Sequence, residues 1–391
     1  MGANITLYTA DCDARVTAVA LSSGGGDGGG SDNIHDTPFN NRAYATRVSC
    51  PMMYLNPAND FHASIEAIES IATLFTNDFR YSRMSHMNHQ DRPEHLVCIP
   101  LWFDQYLKGT FRFPATPASS VAFTGTNGDL LFSVTPDALL PIRNVDIYYT
   151  CEGLDQSPHH RFWRQATSKR QGDTWSAQLP VLDTALPMFA YANVQYPLEK
   201  PVTGAEYYYR TYTANSFSIA SKLHTVTPEM FKEAGVKATI QPSLLIESFG
   251  EGWEKGWFTY DLAKVWPSMP LTCNKLSDPE FQAPAGAKLA CDVLAEQPNE
   301  LVLCYDNYAA EAHLQGDGKW QTITLVPSDF QDAGGRGLDG WKPCGEFSLK
   351  YTEQLSGRQN NVEKTVRLGG DWQGPPPRFR NLRWVKGTKG E

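Results

Sequence analysis

The sequence predicts a multidomain chain of mixed class, α/β followed by all-β. An α/β segment covers residues 1–112 and two all-β segments cover 113–226 and 238–391, with a linker helix over 227–237. Three observations carry this. Helical and strand-like periods alternate as far as residue 112, the sign of parallel strands with crossover helices. Beyond it, short alternating runs bounded by Gly, Pro, Asp and Asn arrive roughly every ten residues, the rhythm of a β-sandwich. Aromatics form 12% of the 391 residues, beside 26 prolines and 31 glycines, which suits β architecture better than a helical bundle.

The elements follow in order. Gly2 to Ala10 reads as helix and VTAVAL (16–21) as a short buried strand, followed by a Gly/Ser/Asp/Asn-rich loop to about Arg47. PMMYL (51–55) is a second apolar run. Ala63 to Phe75 sets Ile65, Ile68, Ala72 and Phe75 on one helical face. Phe79 to Met84 is a third strand, and Pro93 to Leu107 a helix that Pro100 should kink and Gly109 should stop. The next segment supplies VAFTG, LLFSV, VDIYYT, TWSAQL, MFAYANVQY and EYYYRTYTA, and TPEMFKEAGV (227–236) links it to the last. That third segment repeats the rhythm from LLIESF to FRNLRWV and reads as a jelly-roll β-sandwich.

Composition excludes several classes. A net charge of −9 argues against a nucleic-acid partner, whose phosphates call for a basic surface. No run of about 18 apolar residues spans a bilayer. The amino terminus lacks the basic and apolar parts of a signal peptide. The eight cysteines (12, 50, 98, 151, 273, 291, 304, 344) form no C-x-x-C pair, which speaks against structural zinc. Four of them follow residue 270 and permit a disulfide or two there.

Chemistry concentrates in two stretches of the first segment. MMYLNPANDFH puts Asp60 just past a strand, and RMSHMNHQDRPEH puts His86 and His89 just past the next. A carboxylate and an imidazole on neighbouring strand-end loops build a general base: the Asp accepts the Nδ1 proton, fixes the tautomer and stabilises the imidazolium. The competing reading is a loop Asp that caps the helix starting near Ala63.

The opening Met1-Gly2-Ala3-Asn4 resembles the second half of a nucleophile elbow, S-M-G-A-N, cut immediately after the serine, and ADCDARVTAVA resembles the helix end and strand that follow. Residues 1 to about 110 thus resemble the C-terminal half of an α/β-hydrolase of the dienelactone hydrolase, acetyl-xylan esterase and prolyl-oligopeptidase-like kind. Residues 1–225 are similar to the PhoPQ-activated pathogenicity-related proteins, with NVDIYYT and EYYYRTYTA carrying the match to an Ig-like or fibronectin-III-like module. The resemblance implies a truncated α/β-hydrolase parallel sheet, an Ig-like β-sandwich and a jelly roll. It makes Asp60 the acid and His89 the base, with His86 the alternative. The nucleophile is expected upstream of Met1, whose N–H would serve the oxyanion hole in the extended chain, so this chain is expected to be inactive alone. Translation assigned from an internal methionine is the expectation; a true start at Met1 is the alternative. The parent activity would be carboxylic ester hydrolysis, of a small-molecule or polysaccharide ester, in a bacterial extracytoplasmic (periplasmic or secreted) setting. The alternatives are a serine peptidase of prolyl-oligopeptidase type and a non-catalytic carbohydrate-binding or adhesion protein.

Other candidates are weaker. GGGDGGG (24–30) lacks the G-K-[ST] of a phosphate cradle and reads as a loop near the mouth of the site. His86, His89 and His95 lack a carboxylate at metal-ligand spacing, so neither metal nor cofactor is expected. Ser22 and Ser23 have no elbow around them. His159 and His160 fall in a turn. WQTITLVPSDF and GGDWQGPPPRFRNLRWV resemble galactose-binding-like jelly rolls attached to carbohydrate-active enzymes, which makes Trp257, Trp266, Trp341 and Trp372 candidates for a carbohydrate ligand. Core or rim tryptophans are the alternative.

Overall fold

The computed structural model describes residues 2–26, 41–124, 129–205, 211–260, 267–359 and 362–387. About 40% of the chain is strand and 17% helix. It divides into two compact units, Met1–Cys151 with Trp163–Thr239, and Glu152–Phe162 with Ile240–Glu391.

The first unit opens with α1 (Gly2–Cys12), which buries Ala3, Leu7 and Ala10 at helical spacing. Then follow β1 (Val19–Ser22), α2 (Asn41–Ala45), β2 (Met52–Pro57), α3 (Ile65–Ala72), β3 (Phe79–Met84), α4 (Pro93–Leu96) and α5 (Cys98–Phe103). Every residue of β2 is buried, as a strand covered on both faces requires. Ser64 caps α3 by accepting from the Ala67 N–H at 3.2 Å, and Ile65, Ile68 and Ile71 are buried. The helix expected over 93–107 breaks at Val97, because Pro100 has no N–H to offer the Leu96 carbonyl. A π-helical turn (Asp104–Lys108) ends it at Gly109, whose φ of 67° is left-handed.

The remaining strands of this unit are β4 (Ala118–Thr124), β5 (Asp129–Thr135), β6 (Asn144–Cys151), β7 (Arg164–Ala166), β8 (Lys169–Gln171), β9 (Thr174–Leu179), β10 (Met188–Ala205), β11 (Thr211–Ala220) and β12 (His224–Val226). The fold class expected from the sequence, with a truncated α/β-hydrolase parallel sheet standing before separate all-β modules, is overturned here. β1, β2 and β3 do pair in parallel, from Val19↔Met52 to Ser22↔Leu55 and from Met52↔Phe79 to Pro57↔Met84. They are not a sheet of their own. β3 takes β11 antiparallel at Ala220↔Tyr81, and one eight-stranded mixed sheet runs β1-β2-β3-β11-β10-β6-β7 with β12 on β10. The protein is mostly β, in several small antiparallel sheets besides this one. The reason is edge chemistry. A parallel strand leaves N–H and C=O groups on both sides, and the second segment supplies the strand that satisfies β3.

Side chains reinforce that seam. Ser82 Oγ donates to the Ser218 carbonyl at 2.8 Å, and Asn193 Nδ2 donates to the Arg83 carbonyl at 2.9 Å. A four-stranded sheet, β4-β5-β9-β8, shares a core with the mixed sheet: Leu130, Phe132 and Val134 of β5 pack with Ile147, Ala192, Val194 and Phe217. β5 alternates buried and less buried positions with the period of two that such packing imposes. The linking helix forms as α6 (Pro228–Glu233), capped by Thr227.

The second unit holds two four-stranded antiparallel sheets. One joins β13 (Leu245–Glu247), β15 (Lys288–Leu294), β18 (Trp320–Leu325) and β22 (Arg378–Val385). The other joins β14 (Leu271–Cys273), β16 (Asn299–Tyr305), β17 (Tyr308–Leu314) and β19 (Phe347–Lys350). Both sheets supply one core, through Leu289, Cys291 and Val293 from the first and Leu301, Leu303 and Phe347 from the second. A hairpin of β20 (Thr352–Gln359) and β21 (Val362–Gly369) completes the unit. The β-rich architecture is compatible with Ig-like or galactose-binding-like sandwiches. All eight cysteines are free thiols, so no disulfide joins those after residue 270. No described helix is long and apolar enough to cross a membrane.

Candidate active site

β2 and β3 are parallel neighbours, so the loops that leave their carboxyl ends emerge side by side. Backbone bonds stitch the two loops together: Ala58 N–H to the Met84 carbonyl at 2.7 Å and Asn59 N–H to the Met87 carbonyl at 3.1 Å. Asn88 Oδ1 accepts from the Phe61 N–H at 3.1 Å. This places Asp60 and His89 in contact.

The Asp60 side chain is wholly buried. Its Oδ1 accepts from the His62 N–H at 2.8 Å and faces His89 Nδ1 at 3.1 Å, while Oδ2 accepts from the Gly24 N–H at 3.1 Å. A carboxylate oxygen accepts, which assigns the proton to His89 Nδ1 and leaves Nε2 as the basic nitrogen. The His89 side chain is 38% exposed, and no described residue hydrogen-bonds its Nε2. Its ring packs on His62 at 4.5 Å and on Phe61 at 5.3 Å. His86 and His89 both adopt left-handed backbone, with φ of 58° and 47°. That conformation costs non-glycine residues on the order of 1–3 kcal/mol and gathers at functional loops. The structure sets His89 against Asp60; His86 is buried on the same loop.

The strand before them closes the site. β1 ends in Ser22 and runs into Gly24 and Gly25, with φ of 84° and 74°. The Tyr54 hydroxyl donates to the Gly24 carbonyl, and burial pushes that phenol well above its usual value. A Cβ at Gly25 would stand 3.0 Å from Tyr54 Oη, 3.1 Å from Ala3 Cβ and 3.4 Å from Asn4 Oδ1. The first turn of α1 therefore packs directly on the loop that holds Asp60. At Gly26 a Cβ would press on Ala63, Ala67 and Ile68 of the α3 region. These glycines serve close packing and one carboxylate contact; residues 27–30 of the GGGDGGG run lie outside the described residues.

A second carboxylate sits behind the first. Ser22 Oγ donates to Asp91 Oδ2, and Asp91 Oδ1 is buried with no hydrogen-bond partner among the described residues. Burial, against the pull of the Ser22 bond and aided by the Asp60 charge, pushes Asp91 up to about 6. Ser22 is thus committed to Asp91. His95 belongs to the core: it shares a 2.7 Å hydrogen bond with Ser82 Oγ, and burial pushes it down to about 4. Among the described residues, no three His, Cys, Asp or Glu side chains gather as a metal group. Sequence reasoning missed Gly24, Tyr54 and Asp91, because nothing local marks a residue as the support of another loop.

The tryptophans fall in different places. Trp257 is fully buried and donates to Glu247 Oε2 at 3.0 Å. Trp341 packs on Trp384 at 4.9 Å and donates to the Ala287 carbonyl at 2.7 Å. Trp372 stacks on Tyr351 at 4.6 Å and 25°. Trp266 and Met1 lie outside the described residues. No protein-family model matches the chain, and no curated protein matches it.

Proposed function

We propose that Asp60 and His89 are the acid–base half of a Ser-His-Asp hydrolytic site that cleaves carboxylic esters, with acetylated polysaccharide as the substrate class. The observation that carries this is the buried carboxylate on His89 Nδ1, with Nε2 open to a reacting group. In the reaction Nε2 takes the proton of a serine hydroxyl as its oxygen attacks the acyl carbon. It then returns the proton to the leaving alkoxide, and water repeats the sequence on the acyl-enzyme. Asp60 accepts throughout from three N–H donors, those of Gly24, His62 and His89 Nδ1, and so holds the ring in place.

We place the nucleophile on a residue preceding Met1. What supports this is the packing of Ala3 and Asn4 on Gly25, next to the Gly24 N–H that Asp60 accepts. Backbone N–H groups point outward at the amino end of α1 and favour an oxyanion. The same reading takes the second unit as galactose-binding-like, a module that holds an esterase to its polysaccharide.

The test is a fluorophosphonate probe applied to the polypeptide extended by the codons upstream of Met1. Labelling is expected on a serine directly before Met1, abolished by His89→Ala, and absent from the chain that starts at Met1. A stop codon upstream, or an extended chain that stays unlabelled, overturns the reading and leaves a non-catalytic binding protein.

A further inference from the structure

The second unit contains a cleft of about 730 Å³, within the range of about 300–1,000 Å³ common to ligand sites. Its lining is mixed in a way a core void is not, since charged, hydroxyl, amide and aromatic side chains share it. Tyr260 and Tyr351 provide ring faces. Tyr351 is backed by Trp372, stacked at 4.6 Å, so the two rings form a fixed slab. The Tyr260 hydroxyl donates to Glu346 Oε1 at 2.7 Å, which fixes the second ring at a site where 43% of the residue stays exposed.

The charges do not balance. Lys350 pairs with Glu353 within the cleft, and Glu353 also accepts from the Gln354 N–H at 2.8 Å. Arg367 lines the same cleft, is exposed, and makes no ion pair or hydrogen bond with any described residue. Gln354 and Arg367 are cross-strand partners in the β20–β21 hairpin, so their side chains share one face. On the other face Leu355 packs with Val302 and Cys304 of β16, which anchors the hairpin. One uncompensated guanidinium thus stands beside a primary amide and two rigid rings, in a chain of net charge −9. A guanidinium fork grips a carboxylate through two parallel N–H···O bonds. Ring faces take the C–H faces of pyranoses, and the exposed Thr352 and Gln354 are positioned in the lining for their hydroxyls.

We propose that this cleft binds an acidic oligosaccharide, with a uronate carboxylate on Arg367 and a neighbouring sugar ring on Tyr351. The site is separate from the tryptophans singled out in the sequence, apart from Trp372 as the back of the slab. It does not rest on the hydrolytic reading of Asp60 and His89.

The test is calorimetric titration of the whole chain with trigalacturonate and with its methyl-esterified form, which keeps the carbon skeleton and removes the charge. The acid is expected to bind at least tenfold more tightly than the ester, and less tightly as salt rises. Arg367→Gln changes an exposed side chain and keeps the fold, as thermal unfolding will report. It is expected to bring the acid down to the affinity of the ester and to leave the ester unchanged, and Arg367→Lys to fall between. Absence of binding by trigalacturonate, equal affinity for acid and ester, or undiminished binding by Arg367→Gln each overturns the proposal.

Discussion

At the residue scale, Asp60 has two separable jobs, and a single substitution pulls them apart. Its carboxylate satisfies N–H groups from three loops in a buried place. In Asp60→Asn one oxygen becomes an NH2 group that faces these donors. We expect a stability loss of about 1–3 kcal/mol by urea unfolding, the cost of buried unsatisfied groups. We also expect His89 to lose its fixed Nδ1–H tautomer, visible in long-range proton–nitrogen spectra; an unchanged tautomer would show that Asp60 does not orient the ring. Asp91 makes the opposite contribution. Its folded pKa is raised from 3.8 to about 6, so the unfolded chain releases this proton first. Stability is therefore unaffected below about pH 4, falls as pH climbs from 4 to 6, and carries the full penalty above that. The shift corresponds to up to about 3 kcal/mol. Asp91→Asn is expected to stabilise the protein by about 1–3 kcal/mol at pH 8 and hardly at all at pH 4. Equal effects at both would place the cause elsewhere.

At the element scale, one ion pair ties three pieces of the first unit. Arg83 on β3 has no exposed side-chain surface and donates to Glu69 of α3 at 2.6 Å and to the Ser221 carbonyl at 2.8 Å. Glu69 also accepts from the Leu223 N–H at 3.0 Å and the Tyr81 hydroxyl at 3.1 Å. Glu69→Gln leaves the guanidinium buried without a counter-charge and is expected to cost about 3 kcal/mol in thermal or urea unfolding. Arg83→Met with Glu69→Leu should recover most of that, because neither charge then needs solvation; a double variant as weak as the single one contradicts this account. Such ties explain what could be seen in the sequence. Helix and strand periods located α1, α3, β2 and β3, and the strand-end rule brought Asp60 and His89 within reach of each other. The break at Val97 could be inferred from Pro100. What no local pattern contained was the partner of β3. Pairing of Ala220 with Tyr81 joins residues far apart in sequence, and a strand's periodicity reports its faces while saying nothing of its edges. Gly24, Asp91 and the Arg367 cleft were hidden for the same reason, since each depends on a neighbour brought in by the fold.

At the scale of the whole molecule, the mixed sheet sets what can be cut away. A polypeptide of residues 1–112 contains β1, β2 and β3, the Asp60–His89 pair and the helices around them. It loses β11, and with it the Ala220 pairing of β3, the Ser218 carbonyl that takes the Ser82 hydroxyl and the Ser221 carbonyl that takes the Arg83 guanidinium. An unpaired β3 edge then faces water beside a buried cation with a missing acceptor, the condition that favours edge-to-edge association. We therefore expect residues 1–112 to lack a cooperative thermal transition and to aggregate. The second unit offers a milder contrast, because it draws residues 152–162 from between β6 and β7. Within it Phe162 packs on Phe281 at 5.9 Å, Ser277 Oγ donates to the His160 carbonyl at 2.6 Å, and a buried Arg161 holds Glu152. Residues 240–391 alone retain both four-stranded sheets and their shared core, so they should unfold cooperatively but at a lower temperature than the same unit in the full chain. Calorimetry of the two fragments decides the matter. A cooperative transition in residues 1–112 would mean that three parallel strands and their helices suffice, and that β11 adds to this sheet without completing it.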